Sequence, residues 1–229
     1  MKPVLNKILT WLVLPAVIVC MCWGIVYGVM KPIKFEEQRA AREKVGIERL
    51  KDIRTIQTAF KEANGHYAST LDSIVLFYNE GKIKLDMMIG SQDDSVAVAN
   101  TKALKKRRPK ITPEQMYELT KQGQRLVFTI KNEMNVKDTL FKNRPGFCID
   151  SIIMIPFSNQ RVQMETVVKQ VSGVPVPLFE ARMPYDILLS GMDRQLIVNL
   201  KADREDTSRY PGLMVGGVAA PNNNAGNWE

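Results

Sequence analysis

The side chains able to act as nucleophiles, bases or soft metal ligands are few in this chain. Its 229 residues include three cysteines and one histidine, and only Cys148 and His66 lie outside an apolar N-terminal run. No spacing around either residue matches a thiol–imidazole pair or a zinc motif. Because Cys148 is flanked by Phe147 and Ile149, we predict a buried structural thiol there. We predict that His66 is a turn residue rather than a ligand.

Carboxylates offer a second possible chemistry. Asp86, Asp93 and Asp94 surround Gly90, but they lack the spacing and the terminal glutamate of a calcium loop, so a polar turn is favoured. The sequence shows no nucleophile elbow, phosphate loop or Cys/His metal cluster. Two carboxylates that meet only in the folded chain could still form a hydrolase site. The sequence therefore predicts a protein that is not an enzyme and has no cofactor or metal, with a hydrolase as an alternative.

The densest run of charge is basic and predicts a contact surface. Its cations are Lys105, Lys106, Arg107, Arg108 and Lys110. They are candidates for contact with lipid headgroups or with a partner, against the simpler interpretation of a solvated loop. Aromatic residues make up only 7% of the chain and none interrupts this run, so no nucleic acid is expected. Trp228 is the other candidate contact, and it either fits a partner's pocket or anchors the C-terminal tail.

The elements that position these residues begin with the apolar run from Ile8 to Met30. A bilayer needs about 20 apolar helical residues, and this run reaches roughly 34 Å. A secretory signal has a shorter apolar region of about 7–15 residues and a small-residue cleavage site, which is absent before Lys31. The sequence predicts an uncleaved transmembrane helix at 8–30 after a short basic tail at 1–7. A long signal peptide and a buried hairpin helix are the alternatives.

The charges around this run give two opposite topologies. Lys2 and Lys7 precede it, whereas five basic residues lie between Lys31 and Lys44. Counted alone, these charges place the C-terminal bulk in the cytoplasm. A short basic tail before a long apolar run is instead typical of a signal anchor, which exports the bulk. We favour a single-pass protein of the inner (cytoplasmic) membrane with a periplasmic head, and the cytoplasmic topology stays open.

An amphipathic stem is predicted at 31–64. Apolar side chains recur there every three or four residues and share one helix face: Ile47, Leu50, Ile53, Ile56 and Phe60. Asn64 and Gly65 form a stop signal. Pro32 either breaks the helix or lies within one long helix. The heptad pattern is too short for a coiled coil, so the apolar face is expected to pack within the chain.

An α+β head with an antiparallel sheet is predicted at 65–209, followed by a tail rich in Gly, Pro and Asn at 210–229. Helices are predicted at 70–79, from Thr112 and Pro113 to Lys121, and at 192–202. Strands are predicted at 82–85, 96–99, 126–130, 149–157, 163–171 and 179–189.

The segment IRTIQTAFKEANGHYASTLDSI, placed after a membrane helix and before strands, resembles the corresponding part of type IV pilins and type II secretion pseudopilins. The resemblance covers residues 8–81. It implies a long helix that leaves the membrane and carries a small sheet-bearing head. The prepilin peptidase site, a glycine before an aromatic residue with a glutamate at the fifth place, is missing. The chain has no Gly before Gly24 and no Glu before Glu36, which implies a subunit that stays in the membrane.

The sequence thus predicts a non-enzymatic, single-pass, membrane-anchored subunit of a bacterial envelope assembly, such as a secretion, pilus-like or motility complex. Its expected partners are membrane lipid and either other envelope proteins or further copies of itself. A membrane-tethered module that binds a ligand or lipid is the alternative, and a tethered carboxylate-dependent hydrolase is the third.

Overall fold

The computed structural model describes Trp11 and residues 14–229, and its α+β fold confirms the predicted class. The predicted basic tail at 1–7 lies outside the described residues, as do 8–10 and 12–13 of the predicted span. The helices are α1 (Leu14–Asn64), α2 (Leu71–Glu80), α3 (Ser95–Arg107), α4 (Pro113–Lys121), α5 (Val136–Thr139), α6 (Ile149–Ile152), α7 (Tyr185–Leu188) and α8 (Arg194–Asp206). The strands are β1 (Lys82–Ile89), β2 (Phe128–Asn135), β3 (Gln163–Val171), β4 (Val174–Pro184) and β5 (Gly212–Gly216).

Helix α1 is continuous over 51 residues, with Pro32 inside it. A proline removes one backbone hydrogen bond from a helix, and here that loss does not end it, so the predicted span and stem form a single helix. The helix ends where the sequence predicts. Gly65 has a φ of 81°, a left-handed conformation suited to glycine, and its N–H donates to the Lys61 carbonyl at 2.7 Å.

The first part of α1 exposes its apolar side chains. Those from Val17 to Met30 are exposed, and Trp23 is 72% accessible. Among the described residues, α1 is the one helix long and apolar enough to cross a membrane, and an N-terminal signal sequence would meet the same criterion.

The chain forms two compact units. We call them the anchor unit, which holds the described residues up to Thr55 and Asp150–Glu229, and the ribbon unit, Ile56–Ile149. Residues 210–229, which the sequence presents as a tail, supply strand β5 to the anchor unit.

The core of the anchor unit is an antiparallel sheet in the order β3-β4-β5. Its central strand β4 buries Phe179, Ala181 and Met183 completely. Gly46 of α1 lies against this core, since a Cβ atom there would be only 2.7 Å from a methyl carbon of Leu213. The absent side chain lets sheet and helix approach closely, and the buried apolar face of α1 confirms the predicted packing within the chain.

Two predicted strands of the head are wrong. Residues 96–99 lie in helix α3, because the Asp94 carboxylate accepts hydrogen bonds from the N–H groups of Val96 and Ala97, both at 3.1 Å, and caps the helix. Residues 149–157 form helix α6 and a turn. Their run of isoleucines is buried, and an apolar run of this length does not distinguish a strand from a buried helical segment.

Other predicted elements are confirmed with shifted ends. Strand β4 stops at Pro184, so 185–188 form a helical turn instead of the end of the predicted strand. Thr112 caps α4 with Pro113 in the first turn, as predicted. Helix α2 is capped by Thr70, whose hydroxyl accepts from the Ser73 N–H.

The ribbon unit contains one antiparallel pair, β1-β2, which runs from Lys82 opposite Asn135 to Ile89 opposite Phe128. At the Phe128 end, a small core is formed by Met116, Leu126 and Phe128.

A buried glutamine ties α1 to the turn that follows it in this unit. The Gln57 side chain has no solvent exposure. Its amide nitrogen donates to the Ala68 carbonyl and its oxygen accepts from the Ala68 N–H, both at 2.9 Å. One side chain thus satisfies two backbone groups that are shielded from water.

Replacing Gln57 by alanine is expected to destabilise the protein by about 2 kcal/mol or more, because two buried backbone groups lose their partner. Thermal unfolding of the full chain in detergent, followed by circular dichroism, measures the effect. The matched control is Glu62→Ala at an exposed site of the same helix, with an expected change within about 0.5 kcal/mol. Equal melting temperatures for the two variants would contradict this role for Gln57.

Candidate functional site

A polar site in the anchor unit joins α1 to the elements after β4. The Tyr185 hydroxyl donates to the Glu43 carboxylate at 2.5 Å. Glu43 also accepts from the Arg39 guanidinium at 2.9 Å. Arg204 of α8 donates to the Tyr185 oxygen at 3.3 Å. We call these four residues the Tyr185 cluster.

Local sequence explains how each member is placed. Arg39 and Glu43 are four residues apart on α1 and so share a face. Pro184 ends β4 and begins the turn that carries Tyr185 inward. Arg204 lies in the last turn of α8, where a cation interacts favourably with the helix dipole.

The electrostatics of the cluster favour a structural role. Burial, followed by the hydrogen bond and charge of Glu43, raises the pKa of Tyr185 well above its usual value. Burial lowers the pKa of Arg39, but the hydrogen bond and charge of Glu43 outweigh it, so the net shift is upward. A phenol with a raised pKa keeps its proton at neutral pH and donates it to the carboxylate. It is therefore poorly suited to act as a base or nucleophile.

Two cations also lie over the Tyr185 ring. The guanidinium carbon of Arg39 is 5.9 Å from the ring centroid and that of Arg204 is 5.8 Å away. Both distances are within the range of cation–π attraction. The ring and its hydroxyl thus hold α1 against α7 and α8.

Further arginines of α1 bind backbone carbonyls of the same unit. Arg42 donates to the Ser190 carbonyl at 2.8 Å, and Arg49 donates to the Met154 carbonyl at 2.7 Å. Arg54 donates to the Glu229 carboxylate at 2.7 Å. The sequence analysis predicts no contact for any of these three arginines. The one available signal was the choice of arginine over lysine at these positions, since arginine offers five donors in a fixed plane.

An open cleft of about 240 Å³ lies at the end of the apolar part of α1. Its lining is Tyr27, Met30, Lys31, Lys34, Phe35, Gln38, Met192 and Asp193. Lys31 pairs with Asp193 at 2.8 Å, and the hydrogen bond between them raises the pKa of Lys31 and lowers that of Asp193. Apolar walls beside two ammonium groups suit a phospholipid headgroup and its first methylenes. Among the described lining residues Asp193 is the one carboxylate, whereas a carboxylate-dependent hydrolase uses two.

The predicted basic contact residues lie on and just after α3. Lys105, Lys106 and Arg107 form its last turn, Arg108 caps it, and Lys110 follows in a turn. All five are exposed, and none pairs with a carboxylate of the described chain. Cations at a helix C-terminus are stabilised by the helix dipole, so these basic residues stabilise α3 in the structure. Their contact role stays a prediction.

Trp228 lies half-buried in a tail that pairs with β5. The Asn227 N–H donates to the Met214 carbonyl at 2.9 Å, and the Asn227 side chain accepts from the Met214 N–H at 3.1 Å. A side chain at Gly226 would collide with the Trp228 indole. The tail is therefore anchored on the edge of the sheet, and contact of Trp228 with a partner stays a prediction.

Cys148 is exposed, which corrects the predicted buried thiol. Its neighbour Phe147 turns inward and stacks on Phe141 with ring centroids 4.1 Å apart, so the apolar flank does not bury the cysteine itself. The His66 ring contacts Phe60 edge-on at 5.6 Å. Among the described residues, no three His, Cys, Asp or Glu side chains converge as metal ligands.

Comparison with protein-family models, with curated proteins and with solved structures found no match for this chain. The resemblance to pilins and pseudopilins accordingly stays a prediction.

Replacing Tyr185 by phenylalanine is expected to destabilise the protein by about 1.5–3 kcal/mol, because the largely buried Glu43 loses a charge-assisted hydrogen bond. Thermal unfolding of the full chain in detergent provides the measurement. Tyr210→Phe is the matched control in the same unit, with an expected change within about 0.5 kcal/mol. A loss no greater than that of the control would show that the phenol–carboxylate bond contributes little.

The same bond predicts a loss of stability in alkali. The unfolded phenol titrates near pH 10, and the folded pKa of Tyr185 lies above that value. Below pH 10 both states hold the proton, so this group adds no pH dependence. Above pH 10 the unfolded state loses its proton first, and stability falls by up to about 1.4 kcal/mol per pH unit. Urea unfolding between pH 9 and 12 should show a steeper loss for the native protein than for Tyr185→Phe; parallel curves would refute this.

Proposed function

We propose that this protein is a non-enzymatic, single-pass, membrane-anchored subunit of a bacterial envelope assembly. The observation that carries the proposal is the single helix α1. Its first part exposes apolar side chains, and its second part is bound by the Tyr185 cluster and by backbone carbonyls of the anchor unit.

The exposed apolar part of α1 supports membrane insertion. Residues Val17–Met30 present apolar side chains on all sides of the helix, and the described part of the chain covers none of the apolar window. Exposure of such surface to water costs about 25 cal/mol per Å². A bilayer removes this cost, and a helix satisfies its own backbone groups there.

The contacts that follow support an uncleaved anchor over a signal sequence. The Lys31–Asp193 ion pair begins immediately after the apolar part, and residues 26–31 are helical and lack a small-residue cleavage motif. Removal of the apolar part would cut the helix beside this ion pair. An exported, periplasmic head accords with the short basic tail and long apolar run of a signal anchor.

A role in assembly accords with the contacts of the polar side chains around α1, which bind groups of the protein itself. The side chains of the Tyr185 cluster are occupied by one another, and Arg42 and Arg49 bind backbone carbonyls. The exposed basic run from Lys105 to Lys110 offers a surface for contact with a partner. The resemblance to pilins and pseudopilins adds that the assembly is a secretion, pilus-like or motility complex.

Lipid binding is the second candidate function, and the cleft beside Lys31 and Lys34 favours it. The cleft lies where α1 changes from apolar to charged, which is the level of the headgroups if the helix spans a bilayer. Anionic headgroups would complement the ammonium of Lys34, while Lys31 is already paired with Asp193.

The full chain is expected to remain in the membrane pellet after extraction at alkaline pH, with an intact mass that includes the apolar part. Ile18→Arg should move part of the chain into the soluble fraction, because an arginine at the centre of a span costs about 2.5–3.5 kcal/mol on insertion. Ala40→Arg adds the same charge at an exposed position of the stem and should leave the fractionation unchanged. A soluble chain that begins near residue 31 would identify a cleaved signal and overturn the proposal.

Topology and assembly need separate readouts. A reporter fused after Glu229 and active only outside the cytoplasm should be active, and activity only of a cytoplasmic reporter would reverse the topology. Chemical cross-linking in intact membranes should yield complexes larger than one chain. Recovery of monomer alone after cross-linking and gentle solubilisation would count against a role in an assembly.

A further inference from the structure

The β1-β2 ribbon leaves an apolar face and two edges open. No further strand joins either side of the pair within the described residues. Side chains alternate between its faces. One face carries Ile83, Leu85, Met87 and Ile89 from β1 opposite Met134, Asn132, Ile130 and Phe128 from β2. The other face is charged, with Lys84 opposite Glu133 and Asp86 opposite Lys131.

The apolar face is covered at its ends and open in the middle. Ile83 and Phe128 are only 8% and 7% exposed, whereas Leu85 and Met87 are 37% and 43% exposed. A two-stranded ribbon is only marginally stable in water, and a third or fourth strand stabilises it. An open edge beside an apolar face is a template for pairing with another strand.

Strand β1 is complementary to itself. In an antiparallel pair of two β1 strands with Leu85 opposite Leu85, Ile83 lies opposite Met87 on the apolar face. On the charged face, Lys84 lies opposite Asp86, and the two-fold axis repeats this pair. Leu85, Ile83 and Met87 thus lie opposite apolar residues of the second strand, and Lys84 lies opposite a residue of opposite charge. Such cross-strand pairs stabilise a pair of strands.

Strand β2 is less suited to the same pairing. Its symmetric register also brings Lys131 opposite Glu133, but it places Asn132 opposite Asn132 at the centre of the apolar face. Packing two amides there gains less free energy than packing two leucines. The comparison selects β1 as the joining edge.

We propose that β1 pairs with β1 of a second copy of this chain in antiparallel orientation, with Leu85 on the two-fold axis, to form a four-stranded sheet in the order β2-β1-β1-β2. Such a contact is isologous and closes as a dimer. The dimer would name a second copy of this chain as a partner in the proposed assembly, and to that extent it rests on the proposed function. The pairing surface itself lies entirely on strand β1 of the ribbon unit.

The register is tested by disulfide formation in the full chain in membranes, with Cys20, Cys22 and Cys148 replaced by alanine. Leu85→Cys should form a disulfide-linked dimer under mild oxidation, because residues opposite one another have Cα atoms about 4.5–5.5 Å apart. Met87→Cys is the matched control, apolar and exposed on the same face. Its two copies would lie four residues apart along the strands, roughly 13 Å, and should not link.

Charge exchange tests the same pairing without relying on one cysteine geometry. The substitutions Lys84→Glu and Glu133→Lys are made together in the Leu85→Cys chain. They preserve the attraction between positions 84 and 133 within the ribbon, because the two residues exchange charges. Between the two copies, however, the carboxylate introduced by Lys84→Glu lies against Asp86 of the second copy. The initial rate of cross-linking should fall roughly tenfold, since two pairs change from attraction to repulsion. Adding Asp86→Lys with Lys131→Glu restores every pair and should restore the rate.

The proposal would be overturned by a monomeric Leu85→Cys chain, by equal linking of Met87→Cys, or by linking of Asn132→Cys in place of Leu85→Cys. A cross-link of Leu85→Cys to a protein of another mass would also overturn it. Fractionation of the same samples separates the two hypotheses. A soluble chain that still links through Leu85→Cys defeats the membrane proposal alone. A membrane-bound chain that forms no Leu85→Cys disulfide, but is recovered in larger complexes after chemical cross-linking, defeats the dimer alone.

Discussion

The hydrogen bond from the buried phenol of Tyr185 to the carboxylate of Glu43 is the contact on which the anchor unit depends. A carboxylate largely withdrawn from water is costly unless donors and cations surround it. Glu43 therefore needs both Tyr185 and Arg39, which donate to the same carboxylate oxygen. Pro184 ends β4 just before Tyr185, and α8 places Arg204 beside the phenol.

The consequence is that α1 and the three-stranded sheet form one structural piece. Gly46 lets the sheet approach the helix. Arg42 and Arg49, which flank Gly46 in sequence, bind backbone carbonyls of the same unit. A helix that inserts its apolar part in a bilayer would then carry this sheet at a fixed distance from the membrane. The ribbon unit differs, because the middle of its apolar face is exposed and no further strand joins its edges within the described residues.

Helix ends were predictable from the sequence because capping chemistry acts over three or four residues. Gly65 ends α1, and Thr112 with Pro113 begins α4, as their residue types indicate. Strands were less predictable. The β-branched residues at 96–99 favour a strand, but Asp94 caps a helix there. The isoleucines at 149–157 are buried, yet their burial does not define the backbone conformation.

The sequence by itself determined the apolar run, the amphipathic stem and the α+β class, because each follows from periodicity or composition within one segment. The tertiary structure alone decided the Tyr185 cluster, since Tyr185 and Glu43 are 142 residues apart and no local pattern links them. It also decided that the C-terminal segment adds strand β5 and that Cys148 faces solvent. These outcomes depend on which distant surfaces pack together, and packing is set by the whole core rather than by neighbours in sequence.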